Sequence, residues 1–144
     1  MTAKSVLTTG DLVKFDSIDG AVLLGTPQFS LKGSSSASIN SKEICVKGDG
    51  QQSSDFTLCP YNAPPFVTPG TLKCTIKALD SSNLSKIAHC DKKQVLYVGS
   101  QQFIANYEVI FKAIDPTTGN QDMKSSYSGK GSFNKIQLDI VKEN

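Results

Sequence analysis

Five side chains in this sequence carry metal-ligand or nucleophile chemistry: Cys45, Cys59, Cys74, Cys90 and the single histidine, His89. Four thiols and an imidazole suffice for tetrahedral zinc, which takes four N or S ligands at about 2.0–2.3 Å. No Cys-x-x-Cys pair occurs, so a site would have to be assembled from separate strands or loops. His89–Cys90 is the best metal candidate, and Cys59, beside Pro60, is open to a ligand role. Cys74 lies on the apolar face of an alternating segment, where a small core residue is the simpler reading. Two disulfides are a third reading, favoured only in an oxidising compartment. Catalysis by His89 with Cys90 is disfavoured, because neighbours on a strand point to opposite faces.

Other chemistry is thinly represented. There is no phosphate-binding glycine loop ahead of a helix, no H-E-x-x-H and no G-x-S-x-G. Asp11, Asp16 and Asp19 lack the terminal Glu of a calcium loop and read as turn residues. All fifteen positive residues are Lys, with no Arg, and they are dispersed from Lys4 to Lys142. Bidentate recognition of phosphate and guanine is the province of Arg, so a nucleic-acid partner is not expected. No apolar run reaches the roughly 18 residues of a membrane-spanning helix. No polybasic anchor and no apolar segment of a secretory signal precede the domain, so synthesis in the cytoplasm is expected.

The elements that must position these groups are strands. Leu72, Cys74, Ile76 and Ala78 alternate with Lys73, Thr75 and Lys77, and 103–114 alternates in the same way. Ile136, Leu138 and Ile140 form a third alternating set. Shorter strands are predicted over 11–18, 21–24, 28–32, 36–39, 43–47 and 94–98, separated by Gly, Asp, Asn and Pro turns. The four prolines between 51 and 70 predict a crossing loop or a sheet edge and not a central strand, and 116–131, rich in Gly, Ser and Thr, predicts a mobile loop. One helical turn is weighed over 81–89, where Leu84, Ile87 and Ala88 recur at spacings of three and four. The 144 residues make one all-β domain of many short strands, a cone or a small sandwich. Its β core is expected over 1–100 and a C-terminal β extension over 101–144. Superposing Gly25 on Gly70 also aligns Cys45 with Cys90, which suggests two copies of a strand–turn–strand unit.

Two stretches resemble the repeats of the PAAR family, the proteins that sharpen the spikes of type VI secretion systems and contractile phage tails. Thr9-Gly10-Asp11 is followed by Asp19-Gly20 and Leu24-Gly25. Leu31-Lys32-Gly33 then leads through Ala37-Ser38-Ile39-Asn40 and Ile44-Cys45 to Lys47-Gly48-Asp49. The likeness spans residues 6–50, with a fainter echo over 70–99. It implies a non-enzymatic spike tip seated on a trimeric VgrG-like spike protein, with or without an effector, and exported as part of the particle. It also implies an apex zinc, which in the family is held mainly by histidines. With one histidine here, the metal set that the resemblance implies becomes His89, Cys90, Cys59 and Cys45, or the metal is absent, as in looser PAAR-like groups. The alternative is a β-sandwich binding or adhesion module, or a phage structural protein, without metal.

Overall fold

The computed structural model describes residues 3–39, 41–135 and 140–142. Its strands are β1 (Ala3–Ser5), β2 (Leu12–Ile18), β3 (Val22–Leu23), β4 (Gln28–Ser30), β5 (Ser38–Ile39), β6 (Lys42–Glu43) and β7 (Thr57–Ala63). They continue as β8 (Phe66–Ala78), β9 (Leu84–Cys90), β10 (Lys93–Leu96), β11 (Phe103–Phe111), β12 (Ser126–Asn134) and β13 (Ile140–Lys142). Seven of them form one antiparallel sheet in the order β3-β7-β8-β11-β12-β2-β4, and the others pair as three two-stranded ribbons, β1-β13, β5-β6 and β9-β10. The protein is thus an all-β domain built on one large sheet with three ribbons, rather than on two large facing sheets.

The period-two pattern explains the sheet. Leu72, Cys74 and Ile76 of β8 and Phe103, Ala105 and Tyr107 of β11 are buried, while the residues between them are not. Phe15 of β2 meets Phe103 edge-on at 5.8 Å between ring centroids and Tyr107 at 5.9 Å, which closes the core across β11, β12 and β2. β12 presents Tyr127, Gly129, Gly131 and Phe133 inward, and its two glycines are a steric requirement. A Cβ on Gly129 would lie 1.9 Å from the Ser17 carbonyl oxygen.

Three expectations need correction. The proline-rich stretch 51–70 is largely strand, since β7 pairs with β8 from Thr57↔Cys74 to Ala63↔Phe66. Pro60 is tolerated because the neighbouring segment after β3 uses its carbonyl, which accepts from the Leu24 amide at 2.9 Å. The presumed mobile loop 116–131 ends in β12, whose glycines serve packing and not freedom. The helical spacing over 81–89 yields one 3-10 turn, Ser81–Asn83, capped by Asp80 and followed directly by β9. Ile87, which that spacing would bury, is 71% exposed. The expected strand through Ile136 and Leu138 lies outside the described residues except for β13. Strands from the segment beyond residue 100, β11 and β12, stand in the middle of the large sheet, between β8 and β2. Among the described residues no helix is long and apolar enough to cross a membrane.

Candidate functional site

Where β2 and β11 begin, three short segments with one pattern come together. They are Val6-Leu7-Thr8-Thr9-Gly10-Asp11, Ile44-Cys45-Val46-Lys47-Gly48-Asp49 and Val95-Leu96-Tyr97-Val98-Gly99-Ser100. The Leu7 amide donates to the Leu96 carbonyl at 3.0 Å, the Leu96 amide to the Cys45 carbonyl at 2.9 Å, and the Cys45 amide to the Leu7 carbonyl at 2.8 Å. These three bonds close a cycle. Bridge pairs Val6↔Tyr97, Thr8↔Ile44 and Val46↔Val95 repeat the same rule, the first residue of each segment meeting the third of another. The segments therefore run head to tail as the sides of a triangle, with threefold pseudo-symmetry.

Packing follows the strand alternation. Leu7, Cys45 and Leu96 are fully buried in the main core. Val6, Val95 and Tyr97 belong instead to a second apolar cluster, with Ile39, Ile44, Ala88 and Cys90 packed against it. Each segment turns away at a glycine with positive φ, +98° at Gly10, +101° at Gly48 and +81° at Gly99, a region L side chains avoid. The turns are locked by one device in two arms. Asp11 accepts from the Thr8 amide and Asp49 from the Val46 amide, each at 2.8 Å. In the third arm Ser100 replaces the acid, and the Tyr97 amide donates to the Asn83 carbonyl at 2.8 Å. The Asn83 side chain donates to the carbonyls of Tyr97 at 3.2 Å and Val98 at 2.9 Å, which is what holds this buried residue in the 3-10 turn. Lys135 closes the first arm, bonding the Val6 carbonyl at 2.7 Å and pairing with buried Asp11.

A ribbon leads into each side of the triangle. β1, paired with β13, runs into Val6; β6, paired with β5, runs into Ile44; β10, paired with β9, runs through Val95. The two hairpin ribbons turn through residues of positive φ, Ser41 in one and Asp91 and Lys92 in the other.

The residues expected to ligate zinc fall in different places. Cys45 is the middle of a triangle side, and burial, then the nearby Asp49 and Asp11, push its thiol well above the ordinary range. Cys59 and Cys74 are neighbours across β7 and β8, both buried. Burial, together with the charge of Cys59, pushes Cys74 up to about 12, and burial also raises Cys59. Cys90 packs in the second apolar cluster, while His89 next to it is exposed, its Nδ1 3.3 Å from the Ile87 carbonyl. Among the described residues, no three or more His, Cys, Asp or Glu side chains lie where they could hold a metal ion. The four residues expected to hold zinc are therefore dispersed and not gathered at one point, with Cys45 in a triangle side, Cys59 in β7, Cys90 in the second apolar cluster and the His89 imidazole exposed.

What the sequence reading missed is the triangle itself. Its signal was the recurrence of two apolar residues, two spacers and a Gly-Asp or Gly-Ser pair. Thr9-Gly10-Asp11 and Lys47-Gly48-Asp49 carried half of it, and superposing Cys45 on Cys90 shifted the third segment out of line.

Fold and triangle together define a β-structural protein with a threefold end on a single chain. The sequence matches the family described as contractile injection system spike tip protein over residues 1–143. The chain belongs to that family, as the glycine-turn motifs led us to expect, and is a component of such injection particles. No curated protein matches it.

Proposed function

We propose that one copy of this chain caps the end of a trimeric VgrG-like spike of a type VI-like system, docking through the ribbon end, and that its role is mechanical and not catalytic. The observation that carries this is the cyclic bonding of Leu7, Cys45 and Leu96. A monomer on a threefold end ordinarily meets three identical chains with three different surfaces. A chain whose backbone repeats itself around an axis offers each of them nearly the same surface.

The opposite end then leads. There the Ala63–Phe66 turn and the 112–125 segment meet, tied by bridges Thr68↔Ile114 and Ile114↔Gln121. Tyr61 bonds both the Ala113 amide, at 3.1 Å, and Asp122, at 2.8 Å, from the body of the sheet. A point driven through an obstacle needs such satisfied, cross-tied backbone, since loosely held loops are the first to open. The chain would be loaded onto the particle in the cytoplasm and leave with it, with or without an attached effector.

Co-expression with the trimeric spike protein of the same system, followed by native mass spectrometry, tests the reading. One chain per spike trimer is the expected result. Three chains per trimer, or no complex, would overturn it.

A further inference from the structure

The end of the molecule away from the triangle carries apolar side chains that the core does not use. Phe111 is 69% exposed and Met123 86%, with Val67 at 46% and Ile110 at 44%. Strand pairing brings their segments to one place: Phe111 stands opposite Thr71 of β8, Thr68 bridges Ile114, and Ile114 bridges Gln121. Phe66, Lys112 and Met123 line one recess there. Single exposed apolar residues are ordinary, but several gathered at one end mark a contact surface.

Backbone and charges at this end suit surroundings poorer in water. The amides of Val67, Thr68, Ile114, Asp115, Gly119 and Asp122 each donate to a carbonyl of the same end, at 2.7–3.0 Å. Four of the six prolines, Pro64, Pro65, Pro69 and Pro116, fall here too and have no amide to leave unpaired. Segments 63–70 and 110–125 hold four charged residues, Lys112, Asp115, Asp122 and Lys124. Asp122 is buried and bonded to Tyr61 and Tyr127, and Asp115 accepts from the Thr117 amide at 2.9 Å. Lys124 lies over the Tyr127 ring, 5.0 Å from its centroid, while Lys112 is exposed beside the recess.

We propose that this end is a lipid-contacting surface: Phe111 and Met123, flanked by Val67 and Ile110, enter the interface of a phospholipid bilayer. This rests on the reading that the ribbon end faces the spike, which leaves this end leading. In lipid an unpartnered backbone amide has no water to bond, so a wedge of bonded amides and prolines enters at little cost. The side chains favour lipid over a protein partner. They stand out from the surface, whereas the anchors of a protein interface fill pockets of matching shape, which acyl chains do not require. Both acids of these segments are bonded within the chain, so neither has to be stripped of water without a partner. The Lys112 ammonium, on its flexible stem, suits the level of the lipid phosphates.

The chain has no tryptophan, so a single introduced one reports its own surroundings. Phe111→Trp and Leu58→Trp, the second at an exposed position of β7 outside this end, are titrated with phosphatidylcholine vesicles, which carry no net charge to attract lysines. Emission from Phe111→Trp should move to shorter wavelength and be quenched by brominated acyl chains, while that from Leu58→Trp stays unchanged. Phe111→Ser combined with Met123→Ser should lower vesicle affinity about tenfold. Melting curves matching the native one establish folding, and the Trp variants carry the test where the double variant does not fold. Equal responses from the two Trp positions, or no binding of the native chain at millimolar lipid, overturn the lipid surface. So does a dimer in lipid-free solution that Phe111→Ser dissolves, because a second copy then covers the patch. Vesicle binding needs no spike, so capping is judged apart. One chain per spike trimer without lipid binding leaves capping intact, and lipid binding without a spike complex overturns capping alone.

Discussion

The Tyr61 hydroxyl donates to the Asp122 carboxylate at 2.8 Å, joining β7 to a loop on the far side of β11 with both residues almost fully buried. The same carboxylate accepts from the Tyr127 hydroxyl and, through its other oxygen, from the Lys124 amide at 3.0 Å. Burial pushes this carboxyl up, but bonds from Tyr127, Lys124 and Tyr61 more than offset it, so it ionises below the usual carboxylate range. A depressed carboxyl contributes stability above the unfolded value, about 3.9, and loses it as pH falls through the folded value. Asp122→Asn should therefore flatten the loss of thermal stability below about pH 4. Melting scans across acid pH check this, and an acid limb as steep as in the native chain would remove Asp122 from the account.

Tyr61→Phe removes the donor to Asp122 and the acceptor of the Ala113 amide without opening a large cavity. Leaving both buried groups short of a partner should cost about 1–3 kcal/mol in chemical denaturation. A change close to zero would mean that water replaces the hydroxyl.

Asn83→Ala strips the third triangle arm of its two side-chain bonds to Tyr97 and Val98 and the Asp80 amide of its acceptor, Asn83 Oδ1, at 3.0 Å. The expected loss is again about 1–3 kcal/mol. Because this arm shapes the ribbon end, spike association should weaken in the folded variant too. Loss of stability with unchanged association would separate the turn from the docking face.

Gly129→Ala drives a methyl into the Ser17 carbonyl and Tyr107, whereas an added Cβ at Gly119 meets nothing within 4 Å. Overpacking against backbone should cost Gly129→Ala at least about 1–3 kcal/mol. Gly119→Ala bears only the strain of its φ of +76°, about 1–2 kcal/mol. Equal unfolding midpoints for the two would contradict the close approach of β12 to β2.

The thiol arrangement predicts that Ellman's reagent will leave Cys45, Cys59 and Cys74 unreacted in the native protein and titrate all four cysteines after denaturation. Cys90→Ser and His89→Ala should shift the melting temperature equally in zinc and in chelator. A larger shift in zinc would show that these residues bind metal together after all.

The strand alternation was legible because burial of one face imposes period two locally, and every residue from Leu72 to Ile76 reports it. Prolines and glycines misled for the converse reason. Pro60 is compatible with its strand because its neighbour uses its carbonyl, and Gly129 marks a close approach of two backbones and not a flexible hinge. Neither circumstance is written in the residue itself.

Residue types and their local order established that this chain makes short strands, where it turns, and that it carries thiols without a ligand cluster in sequence. Tertiary structure alone decided that Leu7, Cys45 and Leu96, far apart in the chain and unequally spaced, close one hydrogen-bonded cycle. The bonds are made by backbone amides and carbonyls, which every one of these residues owns alike, so side-chain identity constrains the partner only weakly. What brings them together is the sum of long-range packing around them, and that exists only once the whole sheet has formed.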